Sequence, residues 1–409
     1  MERISTAEIF RNGLASIQQQ QASTQRLQEQ IATGERLSQP SDDPVGVARV
    51  LELDSALSAN EQQGRNTDFA RGRLERTEGA LQSVGESLQR VRELVVQGAN
   101  DSNSQADRAT IAQEIRQELD AVFNSANATG PDGEFLFAGS KTQTQPFVRS
   151  GGDISYQGDN GQRFVEIGPG EQLAVNDPGR DVFMEAPASQ GSFEVDADNG
   201  NTGTGTIARG SVTDASAFTP DTYTVEFTSA DEFEITDSSG SVIDDSSGNP
   251  VTNVSYNAGD SITKIPGVQF QIDGAPASGD QFTVEARTVQ NGDIFSTVRD
   301  AAQTMEVGGG DPASDAQFRT DVNRALTELD GAIDANADQR AEIGTRLERL
   351  DRQETTNSDV ELSLESRRSR IADTDITQAA SDLRQQLTSL QAAQQSFARI
   401  QEISLFNFI

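Results

Sequence analysis

LERTEGALQSVGESLQRVRELV, Leu74 to Val95, repeats its large apolar residues every seven positions. Leu74, Leu81, Leu88 and Val95 fall in one column, and Val84 and Val91 fall in the neighbouring one. A seven-residue period places such side chains along one seam of a helix, and a seam needs a second helix of the same period. The matching pattern lies near the other end of the chain. Val322, Leu329, Ile343 and Leu350 share a column interrupted by Asn336, and Leu326, Ile333 and Leu347 share the next, interrupted by Arg340. Two heptad segments this far apart in sequence predict antiparallel pairing, with whatever lies between them inserted at one end.

The flanking sequence extends the helical reading. Residues 1 to about 135 are rich in Gln, Ala, Leu, Glu and Arg, and their only prolines are Pro40, Pro44 and Pro131. Ser5–Glu8 (STAE) fits a capping box, and Gly34 with Pro40 beyond it fits a stop. Ser41, Asp42, Asp43 and Pro44 restart a helix, with Asp43 as cap and Pro44 at the first helical position. Ile111, Ile115, Leu119 and Val122 mark another helix; helix returns near Ile294, breaks at Gly308–Pro312 and resumes.

From about 135 to 290 the texture changes to Gly, Asp, Ser and Thr around short alternating runs. Tyr223–Thr228, Phe233–Thr236 and Val268–Asp273 alternate with period two and read as antiparallel strands. Residues 186–290 carry 16 acidic and three basic side chains, a net of −13, which predicts a solvated β-module without a generous core. The expected fold is mainly α with inserted β: a long antiparallel helical coiled-coil rod from both termini, with a small antiparallel β-domain in the middle. The expected divisions are 1–40 with 371–409, a terminal coiled coil; 41–185 with 291–370, a helical rod with β-elements near 135–185; and 186–290, an outer acidic β-domain.

The two ends match. About Thr6–Thr33 and Ile376–Leu405 are each long enough to span ~42–45 Å as helix. The first carries Phe10, Leu14, Ile17, Leu27 and Ile31 on a broad stripe; the last carries Leu383, Leu387, Leu390, Phe397 and Ile400 and closes on Leu405, Phe406, Phe408 and Ile409. Residues 1–40 hold four acidic and four basic residues, and 361–409 hold six and five, against −33 for the whole chain. Copies that pack together cannot carry a large charge of one sign on the shared surface. These apolar residues are the candidate assembly and partner interface. The competing reading is a helical hairpin that completes a monomer.

Composition narrows the chemistry. The 409 residues include no Cys and no His, which excludes disulfides and thiolate zinc sites and removes the usual general base. The acidity argues against nucleic acid and anionic membranes as partners. No stretch approaches the ~18 apolar residues that cross a bilayer, and MERISTAEIF lacks the apolar core of a Sec signal. No catalytic, cofactor or metal residue is expected. Asp196–Asn201 (DADNGN) resembles a calcium loop, but Gly200 takes the fifth position and Ile207 the twelfth. Gly308–Pro312 lacks the Lys-Ser/Thr of a phosphate loop. Asp42 and Asp43 read as caps, the arginines of the first four helices as mostly solvated faces and i,i+4 pairs, and the Phe135–Phe137 pair as packing where helices meet strands.

Several blocks carry a resemblance: MERIST at the start, Ile31–Arg49 (IATGERLSQPSDDPVGVAR), Gly133–Phe147 (GEFLFAGSKTQTQPF), Tyr156–Gly170 (YQGDNGQRFVEIGPG), Arg367–Leu383 (RRSRIADTDITQAASDL) and the terminal SLQAAQQSFARIQEISLFNFI. Together they resemble the flagellar hook-associated protein 3 family, the hook–filament junction proteins of the flagellin-like superfamily. The match is weak from about 190 to 290. The resemblance implies a non-enzymatic axial structural protein, exported through the flagellar type III channel without a cleavable signal and located outside the cell at the hook–filament junction. Implied partners are copies of itself, flagellin, the hook-side junction protein and an export chaperone covering the C-terminal helix, with no membrane insertion. Two other readings remain: a flagellin-type filament subunit, and a surface-binding adhesive β-module on a helical stalk.

Overall fold

The computed structural model describes residues 6–37, 43–185, 193–286, 293–307 and 311–406, with backbone alone for 6, 7, 9, 10, 209 and 400–406. The chain forms two compact units, residues 67–351 and residues 1–66 with 352–409. Its described helices are α1 (Thr6–Thr33), α2 (Pro44–Gly98), α3 (Gln105–Ala126), α4 (Ile294–Val307), α5 (Pro312–Ala372) and α6 (Ile376–Phe406). The Ser5 cap and Gly308–Gly310 lie outside the described residues.

In the 67–351 unit the heptad columns are the core. Leu74, Leu81, Val84, Leu88, Val91 and Val95 of α2 are fully buried, in one cluster with Val322, Leu329, Ile343 and Leu350 of α5. Leu326, Ile333 and Leu347 pack half-buried at its flank. Each fully buried Leu or Val contributes about 1.5–3 kcal/mol, so this seam outweighs any single polar contact. Both interruptions of the α5 columns are polar and paired to α2. Buried Asn336 donates to the Leu81 carbonyl at 3.2 Å, and a Cβ at Gly85 would lie 2.8 Å from the same amide nitrogen. Arg340 donates to Glu78 at 2.9 and 2.7 Å. A polar residue in a seam specifies register, because slippage would leave it buried without a partner. α3 starts at a capping box between Ser104 and Asp107 that the sequence reading passed over.

The stretch after α3 folds onto this helical body as two hairpins: β1 (Phe147–Ser150) with β2 (Asp153–Tyr156), and β3 (Phe164–Gly168) with β4 (Glu171–Ala174). A single π-helical turn follows at Arg180–Met184. Phe137, Phe147, Phe183 and Phe295 meet here, with ring centroids 5.0–5.7 Å apart. Phe137 is buried and Phe135 half-buried. The glycines of the two sequence blocks permit close backbone crossings. At Gly139 (φ +69°) a Cβ would fall 2.1 Å from the Asp159 carbonyl oxygen. Asn176 donates to the Gly139 and Gly161 carbonyls at 3.2 Å and accepts from Arg163 N–H at 2.7 Å. Next to it, Asp177 accepts two hydrogen bonds from Arg346 of α5, at 2.8 and 2.9 Å.

Not every helix arginine faces solvent, and Arg73 of α2 and Arg108 of α3 depart from the expectation for the first helices. Arg346 is 10% exposed and its partner Asp177 7%. Arg73 is buried and donates to the Phe135 carbonyl at 3.1 Å, and Arg108 lies 4.1 Å over the Phe318 ring. Helical periodicity does not reveal an arginine whose partner comes from a loop far along the chain.

Residues 193–286 form a β-module. One antiparallel sheet runs β5 (Phe193–Ala197), β12 (Gln281–Ala286), β7 (Thr222–Ser229), β8 (Glu232–Thr236), β9 (Val254–Ser255). The other runs β10 (Ser261–Ile262), β11 (Val268–Asp273), β6 (Thr206–Val212). The three runs read as strands fall in β7, β8 and β11. The expectation of a thin core is overturned. Phe193, Val225, Phe227, Ile235, Phe270, Ile272, Phe282 and their neighbours close a buried cluster shared by both sheets. Net charge failed as a measure of core because alternation separates the two kinds of residue. Glu226 and Glu234 pair on the outer face while Val225, Phe227, Phe233 and Ile235 point inward.

Arg346→Ala leaves Asp177 buried without its cation. It is expected to lower unfolding stability by about 3 kcal/mol, whereas the double change Arg346→Met with Asp177→Leu costs less. Urea denaturation of the three proteins checks the order.

Candidate assembly interface

In the unit built from both ends, α1 and α6 lie antiparallel. One end is fixed by backbone bonding: Arg36 N–H donates to the Ala372 carbonyl at 2.7 Å and Thr374 N–H to the Gly34 carbonyl at 2.8 Å. Gly34 makes this possible because it ends α1 with φ +78°, a conformation that disfavours a side chain. The Arg36 guanidinium adds two bonds to the Ile371 carbonyl at 2.7 and 3.2 Å. α6 then starts on an Asp375 cap, whose carboxylate accepts from Thr377 and Gln378 N–H at 3.0 Å. α2 starts at Pro44, with Asp43 accepting from Gly46 N–H at 2.9 Å, as the sequence reading expects; Ser41 and Asp42 lie outside the described residues. At the far end Gly13 is a socket: a Cβ there would sit 3.0 Å from the Phe397 ring.

The residues between these anchors are only partly covered. The more covered positions of α1 include Gly13, Ile17, Gln20, Thr24, Leu27 and Ile31, and those of α6 include Ala379, Leu383, Gln386, Leu390, Ala393 and Phe397. Thr24 and Ala379 are buried; the others named are half-buried. Leu14 and Leu387 are 42% and 40% exposed, and Ile376 is 56% exposed. Phe408 and Ile409 lie outside the described residues, as do the side chains of Phe10, Ile400, Leu405 and Phe406.

This seam differs in kind from the α2–α5 core. It alternates apolar with small or amide side chains, so two helices alone cannot shield its leucines and isoleucines from water. Sequence reasoning picked out the large residues and passed over Gly13, which lies against the Phe397 ring, and Thr24 and Ala379, which are buried. The seven-residue spacings Ile17–Thr24–Ile31 and Gly13–Gln20–Leu27 were the signal available for them. The DADNGN segment is occupied by structure. Asp198 accepts from Gly200 N–H at 2.7 Å, Asn201 exchanges bonds with Gln281, and Asp196 accepts from Arg324.

The chain is similar to known proteins. Residues 4–142 match the family model of the bacterial flagellin N-terminal helical region, and residues 326–409 match that of the bacterial flagellin C-terminal helical region. Flagellar hook-associated protein 3 of Salmonella typhimurium is 30% identical over 181 residues, 44% of this chain and 56% of that protein. The chain thus spans little more than half the length of the curated relatives it matches first. The crystal structure of Xanthomonas campestris FlgL is 32% identical with a TM-score of 0.69, over 78% of this chain and 99% of that one. That of the flagellar junction protein FlgL from Legionella pneumophila is 30% identical with a TM-score of 0.70, over 79% and 100%.

Phe397→Ala empties the Gly13 socket of a half-buried ring, a loss of about 1–2 kcal/mol from the hairpin. Amide exchange along residues 11–33 and 376–399 is expected to accelerate roughly tenfold while residues 74–95 are unaffected, as read by hydrogen–deuterium exchange.

Proposed function

Because the chain belongs to the flagellar hook-associated protein 3 (FlgL) family, we propose that it is a structural adapter of the bacterial flagellum, joining the hook-side junction protein to the flagellin filament. Copies assemble into a ring through their paired terminal helices. The observation that carries this reading is the incomplete covering of α1 and α6. Leu14, Leu387 and Ile376 stay exposed, and Ile17, Leu27, Ile31, Leu383, Leu390 and Phe397 stay half-covered, on the near-neutral ends of a chain of net charge −33. A surface of this kind gains by packing on copies and partners. Phe10, Ile400, Leu405, Phe406, Phe408 and Ile409 extend the same interface in the proposal.

The mechanism is mechanical and involves no catalysis. The chain leaves the cell by type III export with its C-terminal helix under a chaperone. Helix-in-groove recognition, with anchors three and four residues apart at Leu383, Leu387 and Leu390, serves the chaperone first and neighbouring subunits afterwards. In this reading residues 1–40 with 371–409 form the inner assembly part, 41–185 with 291–370 the supporting body and 186–290 an outward module. A filament subunit is the second reading, supported by the matches to both flagellin helical regions. Purified chain that polymerises alone into long filaments favours that reading over the adapter.

Electron microscopy of cells lacking this chain is expected to find hooks without filaments; hooks bearing short or altered filaments overturn the adapter. Complementing such cells with Leu14→Asp plus Leu387→Asp, or with residues 405–409 deleted, is expected to restore no filaments. Circular dichroism of the same purified variants should stay close to wild type. Normal filaments on either variant count against the interface.

A further inference from the structure

The β-module and the helical body have separate cores: their buried apolar clusters share no residue among those described. The module's first and last strands are neighbours, with Phe193 paired to Ala286, so the chain enters and leaves it at adjacent points. Its described hydrogen bonds to α5 are polar on both sides. Gln317 donates to the Ala197 carbonyl at 3.2 Å, Ile207 N–H donates to the Thr320 hydroxyl at 3.4 Å, and Arg324 donates to Asp196 at 2.7 Å.

Arg324 stands out among these because of what surrounds it. It is also paired with Asp321, at 3.0 Å, and feels Glu328 and Glu194. Two of these carboxylates, Asp196 and Glu194, belong to β5, and two, Asp321 and Glu328, belong to α5. Burial works against the Arg324 charge, but the carboxylates outweigh it and its pKa rises. Burial pushes the Asp321 carboxyl upward, Arg324 offsets this in part, and Asp196 adds to the rise. Without the guanidinium, acidic groups on strand and helix would face one another across the joint, and like charges at such range repel.

We propose that Arg324 is an electrostatic latch that holds the β-module in one orientation on α5, and that neutralising it lets the module swing as a unit about its adjacent strand ends. The latch is independent of the assembly reading, since it acts within a single chain. Its role is positional. Both cores stay intact when it opens, so the module keeps its fold while its direction changes.

The chain has no native cysteine, so Ala230→Cys at the exposed β7–β8 turn and Ala341→Cys on exposed α5 give one clean pair of spin labels. Distances are measured by pulsed electron resonance on the full chain. The otherwise unchanged chain is expected to give one narrow distribution at low salt. Arg324→Ala should broaden it and shift it, while Arg324→Lys should restore most of the narrowness. Salt discriminates the latch from a merely structural role. Near 1 M, where screening reaches about 3 Å, the Arg324→Ala distribution should narrow again as repulsion is screened, while the unchanged Arg324 joint loosens slightly or stays. A narrow distribution at the original distance in Arg324→Ala at low salt overturns the proposal, as does a salt response of the same sign in both chains. Should Arg324→Ala fail to fold, Asp196→Ala, which removes the strand-side acceptor, is read the same way: broadening supports the latch and an unchanged distribution overturns it.

Discussion

Pairing of α2 with α5 across more than two hundred residues of intervening chain is the constraint on which the 67–351 unit depends. The seam is dry and made of leucine, valine and isoleucine, which supplies stability but little specificity, because one aliphatic layer resembles the next. Specificity comes from its two polar layers. Asn336 has space only where α2 carries Gly85, and Arg340 reaches Glu78 only in that same register. Once the register is set, Arg346 arrives opposite Asp177, which ties the loop carrying the glycine-rich blocks to the helix. Elements with little core of their own, such as the four-residue strands β1, β2 and β4, are held by this chain of dependence.

The same chain uses three kinds of joint. The helical body is closed by apolar burial. The β-module has its own apolar core but meets α5 through hydrogen bonds and charge. The terminal hairpin is fixed at its ends by backbone bonding around Gly34 and by the Gly13–Phe397 contact, and is left partly uncovered between them. Charge follows the joints: near zero on the ends, which are proposed to meet copies and partners, and strongly negative on the module, whose outward strand positions face water. An acidic exterior is compatible with a full interior because alternation in a strand separates the two populations of side chains.

Sequence pattern by itself determined the helices at both ends, the inserted strands and the pairing of the seam through periodicity, and the punctuation at Gly34, Asp43 and Pro44 through residue type. Each is a local or repeating property, set by steric preference and by the burial of one face, and so is legible without knowing what lies across the chain. Tertiary structure alone decided the socket at Gly13, the buried pair of Arg346 with Asp177, the crossing at Gly139, the full core of the β-module and the carboxylates gathered around Arg324. These depend on which distant residues meet: a glycine is informative only beside the ring it admits, and an arginine is buried or solvated according to a partner that its own helix does not contain.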